Sequence, residues 1–227
     1  MIPPPRAVEN PSSPPGPLVY NAPMLLDFSR LSPRDAYQWM VGMILPRPIA
    51  WVSTVAPDGR TNLAPFSFFQ GVTANPPTLL FVPVNNREGG KKDTVRNIEL
   101  IPEFVVNLVP HALAESMNQT SALLPYGESE FEAFGIAAAP SGRVRPPRVA
   151  AAPVAFECTL QQIVPIGTGP LAANVIFGRI LVAHVSDDVL GPDGQPDARK
   201  LDLVGRLGGD DYTTTRDTFT MVRPDRR

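Results

Sequence analysis

The chain has 227 residues, 43% of them hydrophobic, with 20 basic against 22 acidic side chains. That length suits one domain of generous size, and the apolar fraction suffices for a sizeable core, so wholesale disorder is not expected. A formal net charge of −2 gives no electrostatic ground for a nucleic-acid or membrane-surface partner.

Cys158 is the single cysteine, which excludes a disulfide scaffold and two-cysteine metal or redox motifs. Two histidines, His111 and His184, leave little material for a catalytic metal, and no metal site is expected. No stretch approaches the ~20 apolar residues of a transmembrane helix. The N-terminus lacks a cationic start followed by an apolar run, so no signal peptide is expected and a cytoplasmic location is the default reading. The 28 prolines argue against a helix bundle and for short strands joined by structured turns.

Residues 1–23 hold Pro3, Pro4, Pro5, Pro11, Pro14, Pro15, Pro17 and Pro23. They read as an extended N-terminal arm preceding a domain over 24–227. Ser32 to Val41 reads as a short helix, with Ser32 as cap and Pro33 at the first helical position. Ile49 to Val55 is β-branched and aromatic, and runs through the turn Ala56-Pro-Asp-Gly-Arg60 into Thr61–Ala64, the pattern of a hairpin. Further strands are expected at Gln70–Ala74, Thr78–Val84 and Glu103–Val109, with a helix over Lys92–Leu100 between the last two. Helices are expected over His111–Asn118 and Glu128–Phe134. Ser141–Pro153 reads as a Pro/Arg-rich loop, followed by strands at Val154–Val164 and Asn174–Val185 and a polar tail beyond Tyr212. Many short strands with few helices predict a mainly β, antiparallel barrel.

Two segments carry chemistry. In Ala64-Pro-Phe-Ser-Phe-Phe69 a proline stops strand pairing, and the freed backbone groups need other partners, which the rim of a flat heteroaromatic ligand would supply. The same phenylalanines equally suit a core and barrel lining, the commoner fate of buried phenylalanine. Asn86-Arg-Glu-Gly-Gly-Lys-Lys-Asp-Thr94 offers glycines, cations and a helix start, the makings of a phosphate cradle. It also suits a basic solvated loop, and its spacing matches neither nucleotide-binding glycine fingerprint.

The ordered series Leu45-Pro-Arg-Pro-Ile-Ala-Trp-Val-Ser-Thr54, Pro57-Asp-Gly59, Asn62-Leu-Ala-Pro-Phe-Ser-Phe-Phe69, Asn75-Pro-Pro77, Lys92-Asp-Thr-Val-Arg-Asn-Ile98 and Glu103-Phe-Val-Val-Asn-Leu108 resembles the flavin reductase-like domain family, in particular its flavoredoxin branch. The similarity continues through Ala114–Ser121 and Arg206-Leu-Gly-Gly209. The resemblance implies an FMN-binding split β-barrel of Greek-key topology, with homodimers that hold FMN near the subunit interface. It implies that Ser53 and Thr54 touch the flavin and its ribityl chain, and that Ala64, Pro65, Phe66, Ser67 and Phe68 line the ring. Arg87, Lys92, Asp93 and Thr94 would hold the phosphate, with Asn97 nearby. Arg47 is expected to contact the cofactor or the second subunit, and Asn118 and Tyr212 to border the flavin. His184 is either a nicotinamide contact or a satisfied barrel histidine.

The function expected is an oxidoreductase that passes electrons from NAD(P)H through FMN to an acceptor, with the flavin doing the chemistry and no catalytic acid or base required. The alternatives are a flavoredoxin-type electron-transfer protein with a protein partner, a flavin-binding module without turnover, and a barrel that has lost its ligand.

Overall fold

A computed structural model describes residues 24–125 and 127–224; the proline-rich arm and the terminal Arg-Arg lie outside them. Helix α1 (Pro33–Met43) starts where its caps dictate. Ser32 Oγ accepts the Asp35 N–H at 3.1 Å and Pro33 opens the first turn. It ends ahead of Pro46, which disfavours helical geometry in the residue before it.

Strands follow in the order β1 (Arg47–Pro48), β2 (Ala50–Val55), β3 (Thr61–Phe66), β4 (Phe69–Ala74) and β5 (Pro77–Phe81). Helix α2 (Asp93–Leu100) then precedes β6 (Glu103–Asn107). A single turn at His111–Leu113 leads into α3 (Ala114–Gln119), and α4 spans Glu130–Ala133. After the short pair β7 (Ala138–Ala139) and β8 (Arg148–Val149) come two long strands, β9 (Val154–Ile166) and β10 (Ala173–Val185). Helix α5 (Ala198–Leu201), β11 (Val204–Arg206) and β12 (Tyr212–Thr214) complete the described chain.

Seven strands form one antiparallel sheet in the order β3-β2-β6-β9-β10-β5-β4. The edge strands β3 and β4 are consecutive in sequence, joined through Ser67 and Phe68, yet do not pair with each other. This is the split of the Greek-key barrel. Its interior holds Ala50, Val52, Phe66, Phe81, Phe104 and Ile176, with Val95 and Ile98 of α2. Gly178 lets the Phe104 ring approach: a β-carbon there would lie 2.2 Å from it. Trp51 and Leu63 point the other way, into a second core with Met117 of α3 and Phe131 of α4.

Strand β2 is buried along its whole length because it is covered on both faces, which is why it reads as a continuous apolar run. Several expectations need amending. Strand pairing does not stop at the proline of β3: Pro65 and Phe66 stay in register with Trp51 and Ala50 of β2. The helix over His111–Asn118 divides at Leu113 into a tight turn and α3, and the one over Glu128–Phe134 shortens to α4. The chain beyond Tyr212 is not all tail, because Tyr212–Thr214 pairs with β11, which pairs with β1. Such two- and three-residue strands carry no periodicity of their own and form only because a neighbour is in register. Among the described residues no helix is long and apolar enough to cross a membrane, and no group of three or more His, Cys, Asp or Glu could hold a metal ion.

Candidate functional site

Two cavities meet at the open end of β3. The smaller, about 270 Å³, lies between Asn62, Ala64 and Pro65 of β3, the start of α2, and the 120–124 segment. The larger, about 620 Å³, lies between α1, Pro65 and Ser67, Asn118 of α3, and the β11–β12 hairpin. Pro65 and Ser121 border both, so the two adjoin there as halves of a cleft.

The smaller cavity is built to meet an anion. Asn86 Oδ1 accepts the N–H groups of Glu88 and Gly90, at 3.0 and 2.7 Å, and folds the loop back on itself. Gly89, at φ +84°, supplies the left-handed residue that this return requires. The loop delivers Lys92 to the N-cap of α2, where a lysine cannot accept, and no side chain caps the helix. The Val95 and Arg96 N–H groups donate to the Lys92 carbonyl at 3.0 and 3.2 Å, which leaves the N–H groups of Asp93 and Thr94, two residues that line the cavity, without a side-chain cap.

Lys92 reaches over the Phe66 ring, its ammonium 5.7 Å from the centroid. Burial pulls its pKa below the usual lysine range, and among the described residues it has no ion-pair partner. Lys91 also lines the cavity and pairs with Glu99. Two carboxyls line it as well. Glu130, buried, accepts the Leu63 N–H at 2.8 Å, and Asp93 lies 3.8 Å from Arg96. Burial pushes both above the ordinary carboxyl range, so their charged forms are disfavoured where the cavity is otherwise cationic.

Most of the residues singled out from the sequence divide into three sets. Ala64, Pro65, Lys92, Asp93 and Thr94 line the smaller cavity, and Arg47, Pro65, Ser67, Asn118 and Tyr212 the larger. Phe66, Ser53, Thr54 and Asn97 are buried behind these walls. Phe66 packs in the barrel core against Phe81, ring centroids 5.3 Å apart. Ser53 Oγ donates to the Pro147 carbonyl, and Asn97 Nδ2 donates to Thr54 Oγ1 at 3.0 Å. Phe68 backs the cleft edge-on to Tyr37 at 6.4 Å, and Arg87 stands exposed on the loop. His184 stands apart, with Nε2 2.5 Å from Oε1 of Glu157. Arg47 is buried, its guanidinium donating to the carbonyls of Val41, Ile44 and Leu207 at 2.6–2.9 Å.

Sequence reasoning passed over Tyr37, Ser121, Arg206 and Glu130 as site residues. Arg206 belongs to the family-like stretch Arg206-Leu-Gly-Gly209, but no local pattern says that β11 turns its side chain into the cleft. Glu130 sits in a four-residue helix whose only visible signal is amphipathic, and its burial comes from β3.

Residues 42–198 match the family described as flavin reductase like domain. Nitrilotriacetate monooxygenase component B from Bacillus cereus superposes with a TM-score of 0.84 at 32% identity, over 89% of this chain and 100% of its own. The 2-nitrobenzoate 2-nitroreductase NbaA from Pseudomonas fluorescens does so with a TM-score of 0.78 at 29% identity, over 88% and 96%. In sequence, the FMN reductase (NADH) RutF from Cronobacter sakazakii is 32% identical over 146 residues, 63% of this chain and 79% of its own.

Proposed function

We propose, for a chain that belongs to the flavin reductase-like domain family, the role of an FMN-dependent oxidoreductase that takes electrons from a reduced nicotinamide and hands them to an acceptor. The observation that carries this reading is Lys92, a desolvated cation that among the described residues has no ion pair, at the start of α2 where no side chain caps the helix. That is an anion site, and beside it, across Pro65 and Ser121, lies a cavity large enough for a ring system. A phosphate on one end of a long molecule and a flat ring on the other fit the two halves.

In this reading Lys92 and the first-turn N–H groups of α2 hold the phosphate, and Thr94 adds a hydroxyl. Thr94 also accepts from Asn62 Nδ2 at 3.1 Å, which fixes its rotamer. Ala64 and Pro65 direct the ribityl chain between the cavities, and the backbone of Pro65–Ser67 forms the wall for the ring. The bound flavin would supply the electron-accepting and electron-donating chemistry. The protein orients it, excludes water from one face and sets its surroundings. The described chain has no separate nicotinamide domain, so the reductant would stack in the larger cavity. The FMN reductase (NADH) activity of RutF and the nitroreductase activity of NbaA support a small-molecule redox role.

A homodimer is part of the proposal. Helix α1 buries only Val41 and leaves Trp39, Met43 and Ile44 exposed beside the cleft, and a second copy would cover them. Sedimentation at micromolar concentration tests that point: a monomer would remove it.

Fluorescence quenching tests the cofactor. The native chain is expected to quench FMN stoichiometrically, and NADH to bleach the visible band of the complex anaerobically. Quenching without bleaching would leave a flavin carrier served by another protein. The absence of quenching would sink the flavin reading altogether.

A further inference from the structure

The larger cavity carries more positive charge than its neighbours balance. Two guanidiniums, Arg47 and Arg206, line it against one carboxylate, Asp210. Asp210 is fully exposed and its nearest oxygen lies 3.8 Å from Arg206, a pair that solvent largely screens. Among the described residues no carboxylate lies within ion-pair distance of Arg47. Arg47 is only 5% exposed, and its Nε is buried without an acceptor. A buried cation held only by carbonyl dipoles is costly unless a negative charge approaches it.

Arg206 is placed to receive that charge. Its guanidinium stacks on the Tyr212 ring at 4.5 Å, donates to the Tyr212 hydroxyl, and donates to the Gly209 carbonyl at 2.6 Å. These contacts fix the plane of the fork without exhausting its donors. A fixed guanidinium matches a carboxylate or phosphate in paired hydrogen bonds, which a lysine at the same place would not do. The rings of Tyr37 and Tyr212 on the same walls favour a flat body.

We infer that the larger cavity takes a second, planar ligand bearing an oxyanion, either a carboxylate or a phosphate, and that Arg206 is the residue that selects for it. The inference rests on the flavin reading for its reaction partner, because the ligand would lie beside the Pro65–Ser67 wall assigned to the ring. Its class is thus that of an acidic aromatic acceptor, distinct from the reductant.

Calorimetry on the FMN-saturated full chain tests it with benzoate, phenyl phosphate and benzamide, which share a ring and differ in charge. One of the two anions is expected to bind roughly tenfold or more tighter than benzamide, the factor a charge-assisted hydrogen bond is worth. The tighter anion names the oxyanion. In Arg206→Gln the preference is expected to vanish while FMN quenching is unchanged. Tyr212→Phe keeps the ring, removes the hydroxyl that pins the fork, and is expected to lose part of the preference; it carries the test if Arg206→Gln does not fold. Equal binding of charged and neutral probes overturns the inference, as does a preference that survives both substitutions. If Arg206→Gln weakens FMN as much as the probe, Arg206 belongs to the flavin and the second ligand site falls, while the flavin reading stands. If the native chain fails to bind FMN, the flavin reading falls, and the same probes on the FMN-free chain still decide the anion preference.

Discussion

Two polar regions flank strand β2, and they treat their charged groups in opposite ways. On one side the 141–148 loop is closed around buried acceptors and donors that all find partners. Glu157, with no exposed surface, accepts the N–H groups of Gly142 and Arg143 at 2.7 and 2.6 Å and meets His184. Asn107 accepts the Val149 N–H at 2.9 Å and donates to the Trp51 carbonyl at 2.9 Å, and Ser53 holds Pro147. On the other side, among the described residues, Lys92 has no counter-ion, α2 has no side-chain cap and the Nε of Arg47 has no acceptor. Buried polar groups that are satisfied internally stabilise the fold. Those that are left waiting mark where a ligand completes the structure, and the difference separates a structural latch from a binding site more cleanly than residue type does.

The sharpest way to break this contrast is Glu157→Ala. It would leave two N–H groups and His184 facing a void, and a loss of about 3 kcal/mol in urea unfolding is expected, with FMN affinity unchanged. Weaker FMN binding without loss of stability would make the latch part of the site. The pH behaviour follows the same group. Burial works against the Glu157 charge, but the Gly142 N–H, His184 and the Arg143 N–H outweigh it and hold the pKa below the ordinary value. Its stabilisation is therefore full above the usual glutamate range and lost as the pH falls through the depressed value. An acid titration of native against Glu157→Gln protein reads the difference.

Lys92→Ala should act the other way. FMN is expected to weaken by about 1.5–3 kcal/mol, the worth of a charged hydrogen bond, while riboflavin, which lacks the phosphate, changes little. Equal losses for both would remove the phosphate from this cavity. Because burial lowers the Lys92 pKa, its charge disappears as the pH rises through a value below that of an ordinary lysine. FMN affinity should fall across that range, and Lys92→Arg should flatten the profile.

Smaller effects sharpen the boundary between the regions. Glu130→Gln keeps an acceptor for the Leu63 N–H and removes a charge that burial already disfavours. It should tighten FMN severalfold at alkaline pH with little change in stability. Ser53→Ala should cost about 1 kcal/mol of stability, one neutral hydrogen bond, and leave FMN untouched. A flavin defect in that variant would restore to Ser53 the cofactor contact that the family resemblance implies.

Local signals in the sequence determined most of the architecture. The Ser32-Pro33 start of α1, the Pro-Asp-Gly turn between β2 and β3, and the β-branched run of Ile49–Val55 act over a few residues, so they can be read without a partner. The ordered resemblance from Leu45 to Leu108 likewise brought out the family. Tertiary structure alone decided which polar side chains are available. Ser53 meets Pro147 94 residues away, and Trp51 Nε1 donates to Thr120 Oγ1 69 residues away, so no local window shows that these groups are satisfied. Arg206 enters the cleft only because β11 pairs with β1 and β12, strands too short to announce themselves. Side-chain type is written in the chain, but whether a buried polar group is satisfied depends on what the fold brings to it.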